Sequence, residues 1–190
     1  MKALIVVDVQ KDFCEGGALP VTGGNLTADM IADYIKENRT DYEKIVFTLD
    51  WHNAPPDDNG GHFGDPPDYI DTWPVHCVAG TEGASFNAAF TKIAALVNQN
   101  PNAIFKKGQG QPHYSGFQGV NLIGQSLGGY LKNFGITEVD VCGLATDYCV
   151  KETALDAIEL GFKTNFLPNL SAGITPDAAR HTELAIRMHQ

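Results

Sequence analysis

The stretch Lys2–Val9, KALIVVDV, is dense in β-branched side chains and does not alternate between polar and apolar positions. A strand with one wet face alternates, so an unalternating run needs cover on both faces, as a central strand of a parallel sheet has. Similar runs recur at Lys44–Leu49 and Val139–Leu144, with shorter ones at Ala103–Phe105 and Phe162–Leu167. Helical spacing separates them: Leu26, Met30, Ile31, Tyr34 and Ile35 behind the capping candidates Asn25 and Thr27; Phe86, Phe90, Ile93 and Val97 after Ser85; Ile123 to Phe134 within Asn121–Phe134; then Tyr148–Leu160 closed by Gly161, and a terminal helix from Pro176. Strands alternating with helices imply right-handed crossovers, so the expected fold is three-layer α/β, an open and mostly parallel sheet with helices on both faces.

A chain of 190 residues, 43% hydrophobic and without repeats, fits one domain spanning residues 1–190. Thirteen basic and twenty-three acidic residues give a net charge of −10, which repels phosphate backbones and anionic membranes and so argues against nucleic acid or membrane as partner. The N-terminal apolar run is short and lacks a cleavage-site pattern, and no stretch reaches membrane-spanning length, so a soluble cytoplasmic protein is expected. Cys14, Cys77, Cys142 and Cys149 are too widely spaced for a disulfide framework and read as thiols.

Open sheets of this kind bind ligands beyond the carboxyl ends of their strands. Asp8, Asp50, Lys107 and Cys149 all follow strands, and the fold would bring them to one edge. Asp8 closes an apolar strand, where an unpaired carboxylate is costly, and Lys107 is its candidate partner; a surface carboxylate is the plainer alternative. Lys106 would point to the opposite face and reads as a solvated lysine. Cys149 follows a tight turn at a helix start, where free N–H groups favour a thiolate and could hold an oxyanion, although a buried structural cysteine would fit the same place. Cys142 lies inside a strand, and Cys14 and Cys77 lie in loops with nothing to activate them.

Asp50 and His52, two apart at a strand end, direct both side chains to one side, and His76 or His62 in the long Asp50–Thr81 loop could complete a metal site with open positions. A solvated polar loop is the alternative. His113, His181 and His189 have no such partners and read as surface residues. Phe13, Trp73, Tyr114 and Tyr148 flank the same edge, and flat aromatic walls suit a flat heteroaromatic ligand.

Together these residues resemble the nicotinamidase/pyrazinamidase branch of the isochorismatase-like cysteine hydrolases, through VDVQKDFCEGGALPV, TLDWH, WPVHCVAGTEGA, FKKG, YSGF and GLATDYCV between Met1 and Ser171. The resemblance implies a triad of Asp8, Lys107 and Cys149. It implies an oxyanion hole from the N–H groups of Ala145 and Cys149 after a cis Leu144–Ala145 peptide, and metal ligands Asp50, His52 and His76, with His62 as an additional one. Phe13, Trp73 and Tyr114 match substrate-pocket positions. The implied activity is hydrolysis of nicotinamide, and of pyrazinamide, to the acid and ammonia through a Cys149 thioester. One divalent ion, zinc, with iron or manganese as alternatives, would orient the pyridine ring. The implied partner is a small-molecule amide, and homo-oligomerisation is left open. Two other readings stand beside this one: a metal-assisted amidase for another small amide, and a non-catalytic metal-binding or redox-sensing module.

Overall fold

Successive residues of the first strand face different cores. In the computed structural model, which describes residues 1–190, Leu4 and Val6 of β1 (Lys2–Val7) pack in one cluster with Ile31, Ile35 and Phe47, while Ala3, Ile5 and Val7 pack in another with Phe105, Leu131 and Val141. That two-sided burial is why the run cannot alternate. β1 pairs in parallel with β2 (Lys44–Asp50) on one side and with β4 (Glu138–Leu144) on the other. β3 (Ile104–Lys107) and β5 (Lys163–Ala172) complete a five-stranded parallel sheet in the order β3-β2-β1-β4-β5. The first cluster lies beneath α1 (Gly24–Asn38) and the Ala88–Ile93 turn that leads into α2 (Ala94–Gln99). The second lies beneath α3 (Leu127–Asn133), α4 (Lys151–Glu159) and α5 (Ala178–His189). No helix is long and apolar enough to cross a membrane.

The three-layer expectation holds, and several boundaries move for local reasons. α1 begins at Gly24, and its free N–H groups are capped from a distance: the Glu15 carboxylate accepts from Gly23 N at 2.6 Å and Asn25 N at 2.8 Å. Asn25 therefore does not cap the helix; its side chain accepts from Asn87. The helix expected from Ser85 starts only after Asn87, whose side chain accepts from Ala89 N. α3 is half as long as the spacing predicts, because Asn121 Oδ1 takes the N–H groups of Ile123 and Gln125, leaving Leu122 and Ile123 exposed, and Ser126 caps the real start. β5 runs past Pro168 to Ala172, which an edge strand tolerates.

At the switch point between β1 and β4, where the strand order reverses, Gly143 has φ +127°, and a Cβ there would collide with the backbone of Val7. Gly143→Ala is expected to destabilise the protein by more than about 2 kcal/mol. Urea unfolding checks this; a midpoint equal to that of the wild type would contradict it.

Candidate active site

β1 and β4 flank the switch point, and each delivers one reactive group to it. The chain leaves β1 at Asp8 with φ +50°, a conformation that non-glycine residues adopt at a cost. Thr48 Oγ1 donates to Asp8 Oδ1 at 2.6 Å, and Lys107 Nζ lies 2.9 Å from Oδ2. Lys107 also binds Asp50 Oδ1, approaches Cys149 Sγ at 3.5 Å and donates to the His113 carbonyl at 3.4 Å. The acceptor atoms of Asp8 and Asp50 and the Cys149 sulfur lie within 4.8 Å of one another. Asp8, Asp50, Lys107 and Cys149 are all buried.

Burial governs the protonation of this cluster. It raises the Asp8 carboxyl against the pull of Lys107. It would lower Lys107, yet Asp50 and Asp8 outweigh it and hold the ammonium well above its usual range. It also pushes the Cys149 thiol well up, against Lys107 and together with the two carboxylates. The thiol is therefore protonated at rest and needs a neighbouring base, even though the N–H groups of a helix start by themselves favour a thiolate. Cys149 sits in a π-helical turn, Thr146–Val150, ahead of α4. Ala145 N–H points to no backbone acceptor, and the Leu144–Ala145 peptide is cis.

Beside the thiol lies a second constellation. One ligand atom from each of Asp50, His52, His62 and His76 falls within 4.8 Å of the others, and all four residues are buried. His52 Nδ1 faces the Gly108 carbonyl at 2.8 Å and His76 Nδ1 the Pro74 carbonyl at 2.7 Å. Each Nε2 is thereby turned toward Asp50 Oδ2, at 3.5 and 3.7 Å. Burial pushes His62 down to about 3, so its ring is neutral, as a metal ligand must be. His52 Nε2 and His62 Nδ1 are buried without a hydrogen-bond partner. Unpaired ring nitrogens beside a carboxylate fit a divalent metal ion, and the carbonyl behind His52 and behind His76 fixes its tautomer. Asp50 is held well below the usual carboxylate range: burial opposes this, and Lys107 and the two histidines overcome it.

The chain matches the isochorismatase-domain family model over residues 2–189. It belongs to the isochorismatase family. Among its relatives, a nicotinamidase/pyrazinamidase of Mycobacterium tuberculosis is 47% identical over 93% of this chain and 89% of its own length. A nicotinamidase of Escherichia coli is 36% identical over 91% and 84%. The crystal structure of a Pyrococcus horikoshii pyrazinamidase in complex with zinc superposes with a TM-score of 0.77 at 33% identity, covering 99% of this chain and 95% of that one. A yeast nicotinamidase bound to the inhibitor nicotinaldehyde superposes at 0.82 and 29%, covering 100% and 97%.

In this isochorismatase-family chain the two constellations meet in one open pocket. Cys149, Ala145, Asp50, His62 and His76 line it together with the predicted aromatics Phe13, Trp73, Tyr114 and Tyr148. Trp73 Nε1 donates to Tyr114 Oη at 3.0 Å and its ring meets Tyr148 edge-on at 4.8 Å, so the aromatic wall is braced. Every residue predicted for the site is thus at the pocket or directly behind it. The spacing missed Leu19, Val21 and Ile174, which also line the pocket but are single apolar residues in loops. It also missed Gln10, whose buried amide brackets Asp50 by accepting from its N–H and donating to its carbonyl, both at 2.8 Å. His113 is only partly exposed, and its backbone carbonyl accepts from Lys107, while His181 and His189 are exposed as expected. Lys106 does point away from Lys107; its ammonium stacks 3.6 Å from the Trp51 ring.

Of the four cysteines, all free, only Cys149 borders the pocket. Iodoacetamide, itself a small primary amide, should label the native protein at Cys149 before Cys14, Cys77 or Cys142. Peptide mass spectrometry reads the order, and first labelling at any other cysteine would contradict this geometry.

Proposed function

We propose that this chain is a nicotinamidase that also accepts pyrazinamide, with Cys149 as nucleophile. The observation that carries the reading is the buried Asp8–Lys107–Cys149 cluster sharing one aromatic-walled pocket with the Asp50, His52, His62 and His76 set. The relatives named for nicotinamide and pyrazinamide hydrolysis support it, as does the inhibitor in the yeast structure, an aldehyde in which a nucleophile would find the carbonyl carbon of nicotinamide without its amine. The activity belongs to a single domain spanning residues 1–190, in the cytoplasm, where free thiols persist.

The chemistry follows from the resting protonation states. Asp8 takes the Cys149 proton as sulfur bonds to the carboxamide carbon, and the carbonyl π pair moves to oxygen. The N–H groups of Ala145 and Cys149 receive that oxyanion. Lys107 holds Asp8 in place and stabilises its charge in a buried site. On collapse the C–N bond breaks, Asp8 gives its proton to the departing nitrogen, and ammonia leaves a thioester. Water then attacks the same carbon and yields a proton to Asp8. The C–S bond breaks, the proton returns to sulfur, and the carboxylic acid is released.

Asp50, His52, His62 and His76 would hold one divalent ion, which we assign as zinc in view of the zinc-bound pyrazinamidase, although iron and manganese suit the same donors. When bound, the ion supplies a Lewis-acid contact for a ring nitrogen. Phe13 and Trp73 then confine the ring so that its carboxamide lies at Cys149.

Cys149→Ala should abolish ammonia release while leaving the thermal melt intact, and Asp8→Asn should lower kcat by about 10²–10⁴-fold. A Cys149→Ala variant that turns over at the wild-type rate would refute the mechanism. Substrate choice is tested separately by kcat/KM for nicotinamide, pyrazinamide, benzamide, picolinamide and isonicotinamide on zinc-loaded protein. The first two should stand well above the others, which lack the ring nitrogen or misplace it. Equal values for benzamide and nicotinamide would rule out anchoring through that nitrogen.

A further inference from the structure

Asn59 is the only buried residue between His52 and His62, in a stretch whose residues 54–58 are all exposed. Its backbone is left-handed, φ +53°, a conformation that asparagine tolerates better than most residues. Its side-chain amide is fully used. Oδ1 accepts from Asn53 N at 2.8 Å and Gly110 N at 3.0 Å, while Nδ2 donates to the carbonyls of Asn53 at 3.1 Å and Asp57 at 3.3 Å. Asp57 returns the contact by accepting from Asn59 N at 2.8 Å and from Asn53 Nδ2 at 2.7 Å.

These partners matter for where they sit. Asn53 follows His52 directly at the exit of β2, and Gly110 lies two residues beyond Gly108, the carbonyl behind His52, at the exit of β3. Three residues after Asn59, past Gly60 and Gly61 with φ +71° and +86°, comes His62, whose Nδ1 is buried and unpaired. On its far side His62 is held by its carbonyl, which accepts from Trp73 N at 2.9 Å. On its near side a turn closes over the two glycines, with Asp58 accepting from Gly60 N through Oδ1 and from Phe63 N through its carbonyl, both at 3.0 Å, and the buried Asn59 amide ties that turn to the sheet.

We propose that Asn59 is a positioning residue that seats His62 in the metal site by tying its loop to the exits of β2 and β3. The proposal rests on the metal reading above. It gives this loop a function beyond connection: the three histidines lie along one stretch after β2, and one amide fixes the distance between His52 and His62 within it. A residue that acts through another shows it in a double-mutant cycle, which separates positioning from general support of the fold.

The test is zinc affinity, measured by competition with a chromophoric chelator on metal-stripped full-length protein, for wild type, Asn59→Gly, His62→Ala and the double variant. Glycine keeps the left-handed backbone accessible while removing the amide. Asn59→Gly should weaken zinc binding by about 10–100-fold. Once His62 is alanine, the same change should add less than about threefold. A loss smaller than about tenfold, or losses that multiply in the double variant, would overturn the proposal. Should Asn59→Gly melt below the assay temperature, Asn59→Asp replaces it in the cycle. That variant keeps both accepting contacts, sets a carboxylate oxygen against the Asn53 and Asp57 carbonyls, and is judged by the same non-additivity. Wild-type protein that binds no zinc would instead bring down the metal reading itself, a result distinct from a zinc-binding wild type that Asn59→Gly leaves unchanged.

Discussion

The Lys107 ammonium, with no exposed surface, lies between the Asp8 and Asp50 carboxylates, which are almost equally withdrawn from water. Withdrawing each such charge costs several kcal/mol, and only close opposite charges and hydrogen bonds offset it. One cation between two anions leaves an excess negative charge, and the cluster manages it in two ways. On the Asp8 side the thiol of Cys149 stays protonated, so no third anion forms until a substrate carbonyl is present to receive the charge. On the Asp50 side, unpaired histidine nitrogens converge on the carboxylate, and a divalent cation there would complete the balance. In the proposed mechanism the lysine is thus the joint between a proton-transfer half and a metal half, and both depend on its burial.

The sheet makes that joint available. Asp50 and Lys107 are partners in the β2–β3 register, so their side chains are brought side by side by the ladder itself. Thr48, two residues before Asp50 on β2, reaches across to Asp8 at the end of β1. β4 ends across the switch point from β1 and delivers the turn that carries Cys149. Gly143 allows β4 to approach Val7 closely where the two strands diverge around the pocket. Four strand ends therefore place five chemical groups without any loop having to bend far, and the long loop from Asp50 to Thr81 adds histidines and Trp73 to a framework already set.

This division explains what is legible in the sequence. Asp8, Asp50, Lys107 and Cys149 follow apolar runs, and the rule that ligands sit beyond strand ends groups them from the strand pattern alone. The aromatic wall is legible because its members neighbour those positions. Element boundaries are less legible where polar side chains override helical spacing: Asn121 and Asn87 each divert backbone N–H groups and shorten the helices expected around them. Thr48, Gln10 and Asn59 carry no signal in sequence because their role is to fill specific hydrogen-bonding valences across 40 or more residues, or across a loop closure, which periodicity does not encode. The state of Cys149 depends on packing for a related reason. A helix start suggests a thiolate, whereas complete burial beside two carboxylates dictates a thiol.

The central claim, that Cys149 forms an acyl intermediate, is tested most directly by partitioning between water and hydroxylamine. If nicotinamide and methyl nicotinate pass through one nicotinoyl thioester on Cys149, the leaving group is gone before partitioning occurs. Both substrates should then give the same ratio of nicotinohydroxamic acid to nicotinic acid at each hydroxylamine concentration. A ratio that depends on the leaving group, or turnover without any hydroxamate, would contradict the account.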